Sequence, residues 1–281
     1  MRRAVSVLTG VIVVVVLLSA PARAASPPLP SSMAALGDSI TRAFDVCCFY
    51  GDHPGNSWAT GGWPLDDIQS HYERLRALNP AIGGHQFNDA VTGAKMSDGP
   101  GQAARAVSQG AQYVTVLLGA NDLCTSSVAN MTPTATFRAQ FAATMATLDP
   151  DRRGVHVFVS SIPDILHLWN VLHTNGTARL VWGLARICQS LLASSNGDAQ
   201  RQAVANHELE LNGVLNDVCA GYANCRFDQL ATYRFQFSAG DVSVLDYFHP
   251  DLDGQRKLAE SSWAASWWAA GVQVDPPGPG A

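Results

Sequence analysis

Short apolar runs of strand length alternate with longer segments of helical spacing through most of the chain. The runs at 33–36, 87–91, 113–118, 155–160 and 225–228 predict strands, and those at 113–118 and 155–160 are apolar enough for burial on both faces. Apolar residues at helical spacing predict helices at 63–78, 102–108, 134–148, 165–192 with a break at Asn175-Gly176, 199–220 and 252–270. This alternation predicts an α/β fold with a parallel sheet wrapped on both faces.

The N-terminal segment has the pattern of a secretory signal peptide. Arg2 and Arg3 precede an apolar run at 5–18, and small residues around Arg23 suit cleavage after Ala24. The run is short for a membrane span of roughly 20 residues, and a retained signal anchor is the alternative. We predict a secreted protein with a signal peptide at 1–24, a Pro/Ser-rich linker at 25–32, one domain at 33–272 and a flexible tail at 273–281.

Composition narrows the class of partner. The chain is 47% hydrophobic and only 15% charged, so it can bury a sizeable core. Loss of three arginines with the signal peptide changes the net charge from −5 to −8, which disfavours nucleic acid and anionic membranes as partners. The cysteines lack C-x-x-C spacing and the histidines lack the spacing of metal ligands, so we expect no metal site. We also expect the protein to be a monomer.

Six cysteines in an exported protein indicate disulfide bonds. Cys219 and Cys225 are close enough in sequence to close a small loop. Cys124 and Cys188 would then join two distant loops and leave the adjacent pair Cys47 and Cys48. Six cysteines allow about 15 connectivities, and the sequence does not choose among them.

Residues with catalytic chemistry follow the predicted strands. Gly37-Asp38-Ser39 ends the first strand, where a serine can present its hydroxyl and backbone N–H above the sheet edge. A serine after a strand is more often a turn or N-cap residue. No G-x-S-x-G is present, so the nucleophile elbow of the α/β-hydrolase fold is absent.

Asp246 and His249 are three residues apart, so the carboxylate can bond Nδ1 of the imidazole and leave Nε2 free as a base. Asp164 and His167 have the same spacing after another strand, and geometry alone does not dismiss them. The Asn121 amide and the Gly93 N–H also follow strands and are candidate donors to an oxyanion. Each of these residues alone is more simply a polar turn residue.

Taken in order, four blocks resemble the SGNH hydrolases, also called GDSL esterases and lipases. They are Gly37-Asp38-Ser39-Ile40-Thr41, Gly93, Gly119-Ala120-Asn121-Asp122 and Asp246-x-x-His249-Pro250. The resemblance implies a flavodoxin-like three-layer α/β/α sandwich with about five parallel strands. It also implies a catalytic triad of Ser39, His249 and Asp246, an oxyanion hole made by Ser39, Gly93 and Asn121, and no cofactor. The family places its Asp-x-x-His near the C-terminus, which favours Asp246 and His249 over the earlier pair.

The substrate is less closely defined. The segment 119–124, Ser57-Trp58 and the segment 47–50 are similar to the exported lipase and phospholipase B-like branch. The apolar segment 165–192 is either an acyl-chain groove or core packing, with Trp169, Leu172 and Trp182 as candidate substrate contacts. Transient lipid contact is a further expectation, for which Trp263, Trp267 and Trp268 are candidates, although helical spacing more often means core. The alternatives are a carbohydrate or small-molecule deacetylase and a non-catalytic binding protein.

Overall fold

Five parallel strands form the centre of the computed structural model, which describes residues 26–269. The sheet order is β2-β1-β3-β4-β5, and the strands are β1 Met33–Gly37, β2 Gln86–Asn88, β3 Tyr113–Leu117, β4 His156–Val159 and β5 Cys225–Phe227. Every residue of β1 and β3 is buried, as expected for central strands covered on both faces. The parallel sheet predicted from the sequence is confirmed. The predicted signal peptide at 1–24 and tail at 273–281 lie outside the described residues.

Helices cover both faces of the sheet. They are α1 His71–Leu78, α2 Gly99–Ser108, α3 Ala120–Leu123, α4 Thr134–Leu148, α5 Pro150–Arg153, α6 Ile165–Leu172, α7 Gly176–Leu184, α8 Gln189–Leu192, α9 Asp198–Cys219 and α10 Leu252–Ala265. Alternate residues along a strand point to opposite faces. Met33, Tyr113 and Phe158 therefore pack with α1 and α10, while the other face packs against α2, α4 and α9. No helix within 26–269 is long and apolar enough to cross a membrane.

The helix predicted at 63–78 begins only at His71. Asp67 and Gln69 have φ values of 56° and 55°, in the left-handed region that a helix cannot contain. Ser70 then caps α1, because its hydroxyl accepts from the Glu73 N–H at 3.1 Å while the Glu73 carboxylate accepts from the Ser70 N–H at 2.9 Å. The predicted helix was too long because apolar residues continue at helical spacing through 63–70, where the backbone is not helical.

The stretch 165–192 forms three helices. Asn175 caps α7 by accepting from the N–H groups of Thr177 and Ala178, at the break predicted from the sequence. A second break precedes α8, where Cys188 has a φ of 42°. This second interruption was not predicted.

Trp263 and Trp268 are buried, and Trp267 packs against the same cluster as both. The indole N–H of Trp268 donates to the Pro27 carbonyl at 3.0 Å, which ties the predicted linker to the domain. Of the two interpretations that the sequence left open for these tryptophans, core packing holds for Trp263 and Trp268, and lipid contact does not.

Two disulfide bonds are present. Cys124–Cys188 joins the end of α3 to the start of α8, and Cys219–Cys225 closes the turn between α9 and β5. Cys47 and Cys48 are free thiols on the loop after β1. The two bonded pairs are those that the sequence suggested, and the remaining adjacent pair is not cross-linked.

A fully buried histidine lies between the sheet and α10. The Tyr113 hydroxyl is 2.8 Å from Nδ1 of His71, and the Ser262 hydroxyl is 2.9 Å from Nε2. Because the Ser262 hydroxyl donates to the Leu258 carbonyl at 2.6 Å, it accepts from Nε2–H, and Nδ1 accepts from Tyr113. Burial, with a smaller contribution from the charge of Arg74, lowers the pKa of His71 to about 3.

His71 is expected to make stability depend on pH. Its pKa is 6.5 when unperturbed and about 3 in the fold, so between these values only the unfolded chain binds the proton. The free energy of unfolding should therefore fall as pH drops below 6.5, by up to about 4 kcal/mol for this group near pH 3. Urea unfolding of wild type and His71→Gln across this range should show a stability difference that shrinks with falling pH. A constant difference would contradict a neutral buried imidazole.

Candidate active site

Ser39 lies just beyond the carboxyl end of β1, and the backbone there is tightly held. The side chain of Gln102, buried in α2, accepts from the Gly37 N–H at 2.8 Å and donates to the Gly37 carbonyl at 2.9 Å. That carbonyl also accepts from the Val91 N–H at 3.1 Å. A Cβ on Gly37 would stand 2.2 Å from the Thr41 hydroxyl, so only glycine fits this turn. The chain therefore leaves β1 in one direction and presents Ser39 at the sheet edge.

A hydrogen-bonded chain connects Ser39, His249 and Asp246. The Ser39 Oγ is 2.7 Å from Nε2 of His249, although the two residues are 210 positions apart. Nδ1 of the same ring contacts Oδ2 of Asp246. This arrangement sets the imidazole tautomer, because Nδ1–H donates to the carboxylate and Nε2 is free to accept the serine proton.

Asp246 stays ionised although it is buried. Burial raises the pKa of Asp246, but the hydrogen bond and positive charge of His249 and the backbone N–H groups of His249 and Phe248 outweigh burial. Its pKa is therefore below the usual value. Those two N–H groups donate to Oδ1 at 3.0 and 2.8 Å, which leaves Oδ2 for the imidazole.

The loop that carries Asp246 and His249 is closed on itself. Val242 forms an antiparallel bridge with Pro250, and the Ser243 N–H donates to the His249 carbonyl at 2.8 Å. From outside the loop, the indole N–H of Trp182 donates to the Tyr247 carbonyl at 2.9 Å. The imidazole is thus oriented by its own loop and by α7.

Asp164 and His167 have the same spacing but a different geometry. The Asp164 carboxylate accepts from the His167 backbone N–H at 2.9 Å and caps α6, and it does not bond the ring. Nε2 of His167 is 2.8 Å from the Phe237 carbonyl, so that nitrogen is a donor and not a base. This pair holds a helix start and a loop in place.

Asp38 is a buried acid directly before Ser39. Its Oδ1 accepts from the Ile40 N–H at 2.9 Å, which fixes the turn over the serine, and Oδ2 has no partner among residues 26–269. Burial, opposed by the Ile40 hydrogen bond and the charge of His249, raises the pKa of Asp38 to about 7. Below that pH the carboxyl is mostly neutral and adds little negative charge beside Ser39.

Three donors that suit an oxyanion flank the same edge. Across the described residues, the backbone N–H groups of Ser39 and Gly93 donate to no protein oxygen. The Asn121 amide donates one hydrogen to the Ala94 carbonyl at 3.0 Å, next to Gly93, and keeps its second hydrogen free. Asn121 is therefore joined to the loop that carries Gly93.

An apolar pocket with a cavity volume of about 90 Å³ adjoins these residues. Ile40, Ala120 and Phe248, the neighbours of Ser39, Asn121 and His249, line one side of it. Leu168 and Phe237 are among the residues that line the rest.

The three predicted substrate contacts lie elsewhere. Leu172 and Trp182 are buried in the core, and Trp169 lies under the Arg201 guanidinium at 3.6 Å. None of the three lines the apolar pocket. Within α6, Ile165 and Leu168 line the pocket. The sequence therefore indicated the correct helix but not the residues of that helix that line the pocket.

Two glutamines support the site without any sequence signal. Besides Gln102, the buried Gln255 of α10 donates to the Ile40 carbonyl at 2.8 Å and accepts from the Trp58 N–H at 2.9 Å. A glutamine within a helical pattern reads as an ordinary surface residue. In the described part of the chain, no cluster of three or more His, Cys, Asp or Glu side chains is placed to hold a metal ion.

Gly119 is expected to be essential to the position of Asn121. Its φ is 133°, and an added Cβ would lie 2.4 Å from Cδ1 of Ile162. Gly119→Ala should therefore lower the free energy of unfolding by about 2–4 kcal/mol in urea titrations. Gly213→Ala is the matched control, because its Cβ meets nothing within 4 Å in α9 and should add about 0.5–1 kcal/mol. Equal effects would contradict the close packing at Gly119.

Similar structures have this architecture. An acetyl xylan esterase, AlAXEase, superposes with a TM-score of 0.50 at 15% identity, over 83% of this chain and 98% of that chain. A phospholipase A1 from Streptomyces albidoflavus NA297 gives 0.47 at 16% identity, over 84% and 100% of the two chains. An extracellular lipase from Streptomyces rimosus gives 0.43 at 16% identity, over 84% and 99%. At such identities the first superposition shows a shared fold and not a shared substrate.

A comparison with curated proteins finds no significant match. The family model for GDSL-like Lipase/Acylhydrolase matches residues 33–262, which include all five strands, Ser39, Asn121 and the Asp246–His249 loop. The chain therefore belongs to the GDSL-like lipase and acylhydrolase family.

Proposed function

We propose that this protein is a secreted serine esterase that hydrolyses carboxylic esters of lipids. The observation that carries the proposal is the chain from the Ser39 hydroxyl through His249 to Asp246, with 2.7 Å between Oγ and Nε2. The signal-peptide pattern at 1–24 and the two disulfide bonds support secretion. Membership of an acylhydrolase family agrees with this chemistry.

In the first half of the reaction, the Ser39 Oγ attacks the ester carbonyl carbon while Nε2 of His249 takes its proton. The ionised Asp246 stabilises the imidazolium that results. The tetrahedral intermediate collapses when the carbon–oxygen bond to the alcohol breaks, and His249 returns the proton to the departing alcohol. In the second half, His249 activates water, which attacks the acyl-enzyme and releases the acid and free Ser39.

Negative charge on the carbonyl oxygen is stabilised by the N–H groups of Ser39 and Gly93 and by the Asn121 amide. Each of these donors has a hydrogen that is donated to no oxygen of residues 26–269, so it is available when the charge develops. A donor of this kind typically contributes about 10²–10³ in rate.

The pocket beside Ser39 favours an acyl chain over an acetyl group. Its lining includes Ile165, Leu168, Phe235 and Phe237, and an apolar cavity gains binding energy with each methylene buried. An acetyl group would leave most of the pocket empty. A carbohydrate or small-molecule deacetylase is the alternative, and the chain-length preference separates the two.

Loss of the serine nucleophile is expected to abolish esterase activity. Ser39→Ala should lower kcat on p-nitrophenyl butyrate by about 10⁶, and His249→Ala by a similar factor, because each removes a member of one catalytic unit. The matched control is His167→Ala, whose ring bonds only the Phe237 carbonyl, and it should keep most of the activity.

A fluorophosphonate probe should label wild type and not Ser39→Ala. Activity in Ser39→Ala would disprove the assigned triad. If wild type neither hydrolyses any p-nitrophenyl ester nor reacts with the probe, the protein is a non-catalytic binding protein.

Filling the pocket is expected to shorten the preferred acyl chain. Leu168→Trp should lower kcat/KM for p-nitrophenyl decanoate at least about tenfold and leave the acetate ester nearly unchanged, because only the long chain needs the buried space. Leu180→Trp on the exposed face of α7 is the control and should alter neither value. An optimum at acetate in wild type would favour the deacetylase.

A further inference from the structure

Large apolar side chains are exposed on three loops beside the candidate active site. Phe49 is 67% exposed, Tyr50 79% and Val244 74%, and Val91 and Leu245 are also exposed. These five residues are called the apolar rim below. Exposed apolar residues on neighbouring loops, in contrast to single ones scattered over a surface, mark an interaction site.

Ring contacts place part of the rim directly beside the catalytic histidine. The Tyr50 and Phe44 rings are 5.0 Å apart between centroids, and the Phe44 and His249 rings are 5.1 Å apart. Tyr50 is thus one ring removed from the proposed general base. Val244 and Leu245 directly precede Asp246, and Val91 is two residues before Gly93.

Hydrogen bonds join the three loops. The Ser243 hydroxyl donates to the Asp45 carbonyl, which connects the loop of Val244 to the loop of Phe49 and Tyr50. The Thr92 hydroxyl contacts the Asp52 carboxylate, which connects the latter loop to that of Val91. The rim is therefore one surface held by contacts across the loops.

The rim carries little net charge. Asp52, on the loop of Phe49 and Tyr50, pairs with Nε of Arg42 at 2.9 Å, and Asp45 on the same loop and Asp246 are both buried. Loss of the predicted signal peptide changes the net charge of the chain from −5 to −8, so a negatively charged surface would repel the secreted protein. An uncharged or zwitterionic partner fits this balance.

We propose that the apolar rim docks the protein onto a zwitterionic lipid–water interface, with the candidate active site facing the lipid. The rim lies beside His249 and on the loop that carries Gly93, so its occupant must also let the ester reach Ser39. A lipid surface is both the occupant and the source of the ester, whereas a folded protein or a second copy seated there would block access. This inference rests on the proposed function, since a lipid ester is the substrate that an interface supplies.

The test measures binding of Ser39→Ala protein to phosphatidylcholine vesicles, so that binding is read without hydrolysis. We expect binding that high salt and added phosphatidylglycerol do not strengthen, because the rim is apolar and uncharged. Phe49→Ser combined with Val244→Ser should lower the partition coefficient at least about tenfold. In the active protein the same pair should leave kcat/KM on dissolved p-nitrophenyl butyrate unchanged.

The matched control combines Leu78→Ser with Leu209→Ser, two residues that are each 45% exposed and lie on helices α1 and α9, not on the loops of the apolar rim. It should bind vesicles as the parent does. Three results would overturn the proposal: no binding to phosphatidylcholine, equal loss in both variants, or a dimer in solution that only the rim variant dissociates. Each is independent of whether the unaltered protein hydrolyses soluble esters.

Discussion

The two hydrogen bonds between the Gln102 side chain and Gly37 are the constraint on which the site depends. Gly37 is the last residue of β1. From α2, the Gln102 side chain accepts from the Gly37 N–H and donates to the Gly37 carbonyl, which also accepts from the Val91 N–H. These bonds satisfy the polar groups at the strand end while the chain turns within two residues of the sheet. Ser39 therefore occupies a fixed position on a rigid element, which nucleophilic catalysis requires.

The loop that carries His249 is supported by a buried side chain from another part of the fold. Trp182 is fully buried in α7 and donates its indole N–H to the loop that carries His249. The apolar pattern of 165–192 suggested Trp182 as a candidate substrate contact. The structure gives it a supporting contact instead, because a buried indole needs an acceptor and the Tyr247 carbonyl provides one.

The parts of the fold that were predictable follow from periodicity. Helix α4 coincides with the predicted 134–148 because its apolar positions and its ends are both marked in the sequence. Helix α1 was predicted too long because apolar spacing does not report left-handed residues such as Asp67 and Gln69. The pairing of Ser39 with His249 was implied by the resemblance to the SGNH hydrolases, because the spacing alone left Asp164 and His167 open. Which face of α6 lines the pocket was not predictable, since core and pocket positions have the same spacing.

The Cys124–Cys188 bond links the position of Asn121 to the chemistry of the compartment. Helix α3 has only four residues, and the disulfide together with Ser190, whose hydroxyl donates to the Leu123 carbonyl at 2.6 Å, attaches its end to α8. In a reducing environment the chain lacks this covalent attachment next to its candidate oxyanion donor. The position of Asn121 therefore depends on the redox state of the surroundings as well as on the packing of the fold.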